Sequence, residues 1–418
     1  MQEFPHRSRN LRWLWLAQFI SVSGDFLFQT SVLFLVLKTE NENAALKAGA
    51  ASLLCTLPFL LLGPLTGALA DRFDRRKLML LCDAVRALLL FSAPWLHNLG
   101  VLNWLGIGAL GFALASFSAL FNPARDAFIP ELAGGAELMK ANAFIQSSMQ
   151  LAMVVGTLAA GGLLYLQQQS GTDDVTAILR LFALDGLSYL GSLACLLLIR
   201  APKSVTDGSL ARENTLLIGA RDGLRHIASS RLLLPLLLLT GINNFFIMGP
   251  ATVGGSLLVQ RTFGLGAAGV AWFEGALALG WLVGTFTLVR LCERMPRGRL
   301  LLFGMVMDGA TFLPLLMFDT VKSFPLALGL IFFHGLFIPA ITVSRASILH
   351  ANVPAALQGR VFSMLNFTVI GSMSLSGLAT GALGEFVSPP MLYFIAGTGG
   401  TVCGIVGFLV CRTLRETN

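Results

Sequence analysis

Asp25 stands in the middle of an apolar stretch, Gln18-Phe-Ile-Ser-Val-Ser-Gly-Asp25-Phe-Leu-Phe-Gln29. On a helix, intervals of seven and four bring Gln18, Asp25 and Gln29 to one face. Such groups are costly in hydrocarbon unless they are paired or solvated, so the stripe suits the wall of a water-filled cavity. A carboxyl group placed there can exchange protons near neutral pH or meet a cationic substrate. The plainer alternative is a structural carboxylate bonded to helix ends.

Other polar residues interrupt the apolar runs. Glu274 follows Trp272 in Ala-Trp-Phe-Glu-Gly, which suits a lipophilic cation and equally an interfacial position. Asp83 and Arg86 are three apart, meet on one helix face, and read as an internal ion pair supporting the charged segment before them. Asp185 is expected near the outer end of its helix, paired with Arg180. His334 reads as a helix-packing residue, with a proton relay as the alternative. Gln146, Asn243, Asn244 and Asn366 are neutral hydrogen-bonders that suit a cavity wall and equally join helices. The five histidines are scattered without a His-Glu-x-x-His pattern, and no Gly-Lys dipeptide offers a phosphate-binding loop. We expect neither an enzyme nor a metal or cofactor site.

The elements holding these residues are long apolar helices. The chain has 418 residues, 55% apolar and 12% charged, with a mean hydropathy of +0.75; soluble domains carry roughly 25% charged residues. Continuous apolar runs favour a helical bundle over a barrel of alternating strands. Twelve spans are expected, near 11–37, 48–70, 78–96, 101–121, 139–166, 177–199, 231–259, 266–289, 299–318, 324–345, 361–384 and 391–411, each near the ~20 residues a crossing needs. The first is read as a retained helix, since its apolar run has no small-residue cleavage pattern. Of the 29 lysines and arginines, 23 fall on the side holding the N-terminus and five opposite. This asymmetry puts both termini in the cytoplasm and accounts for the net charge of +7 without a nucleic-acid partner. The domains expected are an N-terminal six-helix bundle (1–200), a cytoplasmic linker with an amphipathic stretch (201–230), and a C-terminal six-helix bundle (231–418). A shift of 222 residues aligns Asp71-Arg72 with Glu293-Arg294, Arg75 with Arg297 and Lys77 with Arg299. Near the same offset, Asp25 falls by Asn243 and Gln146 by Asn366. Two parallel repeats are implied, with the substrate site between them.

Between the second and third spans lies Gly67-Ala-Leu-Ala-Asp71-Arg72-Phe-Asp74-Arg75-Arg76-Lys77, six charges in one short loop. It resembles the signature loop of the major facilitator superfamily, Gly-x-Leu-Ala-Asp-Arg-x-Gly-Arg-Arg/Lys, with Asp74 where the family has glycine. The resemblance implies a gating role for Gly67, Asp71, Arg72, Arg75, Arg76 and Lys77, with Asp71 facing the start of helix eleven near Arg360. A carboxylate at a helix N-terminus is worth on the order of 1 kcal/mol. A positive-inside anchor is the simpler reading of the same charges. Asn122-Pro-Ala-Arg-Asp-Ala-Phe-Ile-Pro-Glu-Leu132 and Gly359-Arg360-Val-Phe-Ser363 resemble bacterial macrolide-efflux and enterobactin-export proteins, and Ala17 to Asp25 is similar to lysophospholipid transporters. Two features of proton-coupled drug exporters are absent: an arginine in helix four, and the proline of the helix-five antiporter pattern, here Gly156-Thr-Leu-Ala-Ala-Gly161-Gly162.

These readings converge on an all-α integral membrane protein, a monomeric secondary transporter of the bacterial inner membrane working by alternating access. Its expected partners are a small amphipathic substrate (drug-like or a siderophore), protons and membrane lipids. A lysophospholipid transporter or flippase is the alternative, and a non-transporting receptor on a transporter fold is the alternative of another class.

Overall fold

The computed structural model describes residues 4–62, 66, 69–70, 72–133, 138–199, 225–291 and 295–417. Gly67, Asp71, the side chain of Gln146 and the linker stretch 201–224 lie outside the described residues. The helices are α1 (Phe4–Thr39), α2 (Ala44–Leu61), α3 (Arg75–Asn98), α4 (Trp104–Ala133), α5 (Leu138–Gln169) and α6 (Asp174–Leu198). Then come α7 (Leu233–Thr262), α8 (Ala267–Leu291), α9 (Arg297–Asp319) and α10 (Phe324–Asn352), α11 (Ala355–Leu383), α12 (Pro389–Val410) and the one-turn α13 (Arg412–Arg415). Among the described residues, twelve of these are long and apolar enough to cross a bilayer, and the protein is an all-α, multi-pass integral membrane protein.

Local chemistry sets the ends and interruptions of the helices. Asp74 caps α3 by accepting the Lys77 N–H at 2.9 Å, so the residue standing where the superfamily loop has glycine starts a helix. α7 loosens into π-helical turns at Pro250–Gly254 and Leu258–Thr262, the first opening on a proline that cannot donate to the ladder. α9 tightens into a 3₁₀ segment, Leu313–Asp319, around Pro314, and α10 breaks between Gly335 and Ile338, just before Pro339. α4 instead runs through Pro123 and Pro130 to Ala133, twelve residues beyond its expected end. Asp173 caps α6 by accepting the Thr176 N–H at 2.9 Å. That bond holds the exposed Asp173 carboxyl below its ordinary range. Its contribution is therefore present above the ordinary carboxylate range and is lost as pH falls through the lowered value. Amide protection at the start of α6, taken relative to the intrinsic exchange rate at each pH, is expected to fall in acid while the middle of α6 stays protected; an equal change at both places would contradict this.

The chain forms two compact units, 1–40 with 54–211, and 41–53 with 212–418. In the first, α1 packs on α4, α5 and α6, and α3 on α4 and α6. In the second, α7 packs on α11 and α12, and α9 on α10 and α12. The pairings α1·α6, α3·α6, α1·α5 and α3·α4 thus recur six helices later as α7·α12, α9·α12, α7·α11 and α9·α10. This is the pseudo-symmetry of a two-times-six-helix fold. Each unit has its own apolar core, one around Leu14, Met79, Phe128 and Leu196, the other around Leu236, Leu301, Met305 and Leu349.

The start of α2 belongs to the second unit. There Gly381 lies so close to α2 that a Cβ would sit 2.4 Å from the Ala45 carbonyl, and a Cβ on Gly49 would sit 2.7 Å from the Gly377 carbonyl. Small residues allow this backbone approach in a lipid-embedded bundle. Glu385, just beyond α11, caps α2 from a distance. Its Oε1 accepts the Ala45 and Leu46 N–H groups at 2.7 and 3.1 Å, and its Oε2 lies 3.8 Å from the Arg261 guanidinium. Glu385→Ala removes the acceptor for two helix-start donors, a loss of about 1–2 kcal/mol. Amide exchange at Ala45 and Leu46 is expected to quicken by about 5- to 30-fold; unchanged exchange would show that the cap contributes nothing.

Candidate functional site

Four helices of the first unit bring a set of polar side chains together inside it. Tyr189 of α6 donates its hydroxyl hydrogen to Asp25 Oδ1 on α1. Arg86 of α3 donates to Asp83 one turn earlier, and Asp83 Oδ2 accepts from Ser192 Oγ of α6 at 2.7 Å. A second guanidinium nitrogen of Arg86 donates to Ser118 Oγ of α4 at 3.2 Å. The guanidinium also lies over two rings, 4.2 Å from the Tyr189 centroid and 4.7 Å from the Phe121 centroid, geometry favourable to a desolvated cation. Asp185 of α6 accepts from Ser188 at 3.1 Å and sits against α1, where a Cβ on Gly24 would meet its Oδ1 at 2.4 Å.

Three carboxyl groups and one guanidinium thus share one interior. Asp83 and Arg86 are sealed, with side chains 0% and 3% exposed, and Asp185 is 1% exposed. Asp25 is only half-buried, which makes it the carboxyl group of this set that can be reached from outside the packed interior. Arg86 offsets one carboxylate. If Asp25 and Asp185 were both ionised as well, the set would carry two uncompensated negative charges in a low-dielectric medium. Protons on two of these groups would remove that charge.

The expected Asp83–Arg86 pair is present, but its remaining partners are on α4 and α6 rather than in the charged loop. Asp185 does not meet Arg180, whose guanidinium instead donates to Gln167 at 3.3 Å. The register of α6 turns Asp185 inward, eleven residues into the helix. Within the Gln18–Asp25–Gln29 stripe, Gln18 is 2% exposed, Asp25 half-buried and Gln29 exposed. The sequence reading missed Tyr189 and Ser192. The signal was available, since Asp185, Ser188, Tyr189 and Ser192 follow a helical three–four spacing and mark one polar face of α6.

In the charged loop, Arg75 donates to the Ala127 carbonyl at 2.9 Å and to Glu131, both on α4. Arg76 donates to the Leu196 and Leu197 carbonyls at 2.9 and 2.7 Å, capping the C-terminal end of α6 with positive charge. Arg72 and Lys77 are exposed, and Arg360 at the start of the α11 span is half-buried. In the second unit, Asn243 and Asn244 are buried, and Asn243 donates to Asp308 at 2.8 Å. Glu274 is half-buried while Trp272 points outward, and Asn366 is exposed.

The family model described as "Transmembrane secretion effector" matches residues 3–417. The chain belongs to that family, within the major facilitator superfamily. It is 23% identical over 407 residues to macrolide efflux protein A of Streptococcus pyogenes, covering 95% of each chain. It is 26% identical over 413 residues to the multidrug efflux pump Tap of Mycobacterium tuberculosis, covering 95% of this chain and 90% of that protein. Its fold is that of the D-xylose–proton symporter, with a TM-score of 0.75 at 14% identity over 99% of this chain and 100% of that one. This family member is a membrane transporter of the major facilitator fold and not an enzyme.

Proposed function

We propose that the protein exports an amphipathic, drug-like small molecule across a bacterial inner membrane by alternating access, in exchange for protons carried by Asp25. The observation behind this reading is the half-buried Asp25 bonded to Tyr189 at the edge of a sealed Asp83–Arg86 pair. A titratable group with one accessible side and a fixed charge network behind it suits a carrier that loads from water and then closes. Similarity to a macrolide efflux protein and a multidrug efflux pump supports the direction and the substrate class. The excess of lysine and arginine on one side supports both termini being cytoplasmic.

The charged loop fits a gate on that side. Arg75 and Arg76 tie the start of α3 to the ends of α4 and α6, which leaves Arg72 and Lys77 exposed to engage partners that change during the cycle. Gln18, Gln29, Gln146, Asn243, Asn244, Glu274 and Asn366 are proposed as cavity-lining groups.

The test uses inside-out vesicles acidified inside and containing the purified protein. Lipophilic drugs, siderophores and lysophospholipid are added in turn while the pH gradient is recorded. Collapse on adding lipophilic drugs supports drug–proton antiport. Collapse only with a siderophore or only with lysophospholipid replaces the substrate class, and no collapse with any of them, in vesicles that hold their gradient, rejects proton exchange for these compounds.

A further inference from the structure

The six-helix repeat gives α9 the place of α3, and each of these helices buries an aspartate about 225 residues from its counterpart: Asp83 on α3, Asp308 on α9. What surrounds the two differs in one respect. Asp83 is held by Arg86, a permanent cation. Asp308, with a side chain 2% exposed, has as its charge partner among the described residues His334, at 3.5 Å from Nε2 to Oδ1. An imidazole, unlike a guanidinium, can be neutral or charged, so this second carboxylate has a partner that can be switched.

The rest of the cluster is arranged around that pair. Asp308 Oδ2 accepts from Asn243 Nδ2 of α7 at 2.8 Å, while Oδ1 is buried without a hydrogen-bond partner among the described residues. On the other side of the ring, His334 Nδ1 lies 2.8 Å from Thr311 Oγ1. The same hydroxyl lies 2.7 Å from the Met307 carbonyl oxygen. It also lies 3.2 Å from the Asp308 carbonyl oxygen, so Thr311 has one hydrogen and three places to send it, the ring nitrogen and two backbone carbonyls. Phe312 stacks on the imidazole at 4.2 Å and meets Tyr393 of α12 edge-on at 4.8 Å, which fixes the ring plane. The ionisable groups beyond the pair are Tyr393 of α12, packed on Phe312, and Glu274 of α8, whose charge is felt at Tyr393. α7 contributes the neutral Asn243, and Arg345 of α10 is eleven residues beyond His334.

We propose that Asp308 and His334 form a second proton-binding site, within the C-terminal unit, whose loading is relayed by the hydroxyl of Thr311. In the empty form Thr311 donates to Nδ1, and Nε2–H points at the Asp308 carboxylate, so the site carries one negative charge. Thr311 passes its hydroxyl hydrogen to the ring at Nδ1 while its oxygen takes a proton from water. The Thr311 hydrogen turns to the Met307 carbonyl, and Nδ1–H now donates to Thr311 Oγ1. No heavy-atom bond changes, and the site goes from one negative charge to a neutral ion pair. Transfer of the Nε2 proton to Oδ1 gives the equivalent neutral form with a protonated carboxyl. The loaded form is the one suited to a sealed interior, because it brings no net charge out of water. This site is separate from Asp25 and gives the carrier a second titratable position, one in each unit.

The test needs no substrate. Full-length protein with ¹⁵N-labelled histidine is placed in lipid nanodiscs and titrated from about pH 9 to about pH 5, a range that brackets ordinary histidine titration. His334→Gln assigns one of the five histidines, and infrared difference spectra follow the protonated-carboxyl band. We expect His334 to pass from a form protonated only at Nε2 to one protonated at Nδ1, with a component of the carboxyl band that is lost in Asp308→Asn. Asp25→Asn is expected to leave both signals unchanged, which separates this site from the proposed carrier. Thr311→Val is expected to shift the midpoint by about one pH unit, a tenfold change in proton affinity. A His334 ring that keeps one protonation form throughout, with no carboxyl band that depends on Asp308, would overturn the proposal, and the wild-type titration shows this once His334→Gln and Asp308→Asn have assigned its signals.

Discussion

Asp25→Asn is expected to reduce drug-driven collapse of the pH gradient to the level of protein-free vesicles, without lowering the amount of folded protein. The asparagine carbonyl oxygen can still accept the Tyr189 hydroxyl hydrogen, so the α1–α6 contact made through that bond is kept. What is lost is the site for a proton. Glu is the informative partner substitution: Asp25→Glu restores an ionisable carboxyl on a longer arm and is expected to recover part of the exchange. If Asp25→Asn exchanges protons as well as the wild type, Asp25 is a structural carboxylate and the proton path runs elsewhere. The comparison is made at matched protein content per vesicle, because a folding defect would imitate a coupling defect.

Arg86→Leu is expected to be the most destabilising single change in the first unit. It leaves Asp83 with a fully buried carboxylate whose only remaining hydrogen-bond partner among the described residues is Ser192, and it removes a guanidinium packed between Tyr189 and Phe121. Breaking one side of a buried ion pair costs about 3–5 kcal/mol, enough to remove a large share of ordinary stability. Thermal unfolding in detergent and the level of protein in the membrane report this directly. The double variant Asp83→Asn with Arg86→Met removes both charges and keeps most of the volume. Much of the stability is expected to return, while proton exchange stays impaired because the cation behind Asp25 is gone. A single variant as stable as the wild type would show that the pair contributes little to holding α3 in place. A double variant that also regained exchange would show that Asp25 works without a fixed charge beside it.

The two changes probe different links of one chain of cause. Asp83 and Arg86 hold an interior together whether or not anything is transported. In the proposed cycle Asp25 changes its proton occupancy against that fixed background. The rings of Tyr189 and Phe121 keep the guanidinium in place without adding charge, and a lysine at position 86 would lose both the ring stacking and the bond to Ser118.

Some features of this architecture are written in local sequence. The apolar runs are as long as a bilayer is thick, and hydrocarbon requires backbone groups to be satisfied within each helix, so twelve crossings follow from hydropathy alone. Asp74 and Asp173 start helices because a side-chain oxygen near an orphan N–H is a local event. Asp83 and Arg86 meet because they are three apart on one helix. The six-helix repeat shows as aligned charges 222 residues apart. Tertiary structure decided everything that required two helices to choose facing sides. Tyr189 reaches Asp25 across 164 residues, and Asn243 reaches Asp308 across 65. Asp185 turns toward α1 rather than toward Arg180, and Glu385 caps a helix by accepting from Ala45, 340 residues earlier. The physical reason is that lipid-facing and helix-facing surfaces are equally apolar, so hydropathy identifies the helices without identifying their contacts. Close packing and interior hydrogen bonds choose those contacts, and they exist only once the helices have been assembled.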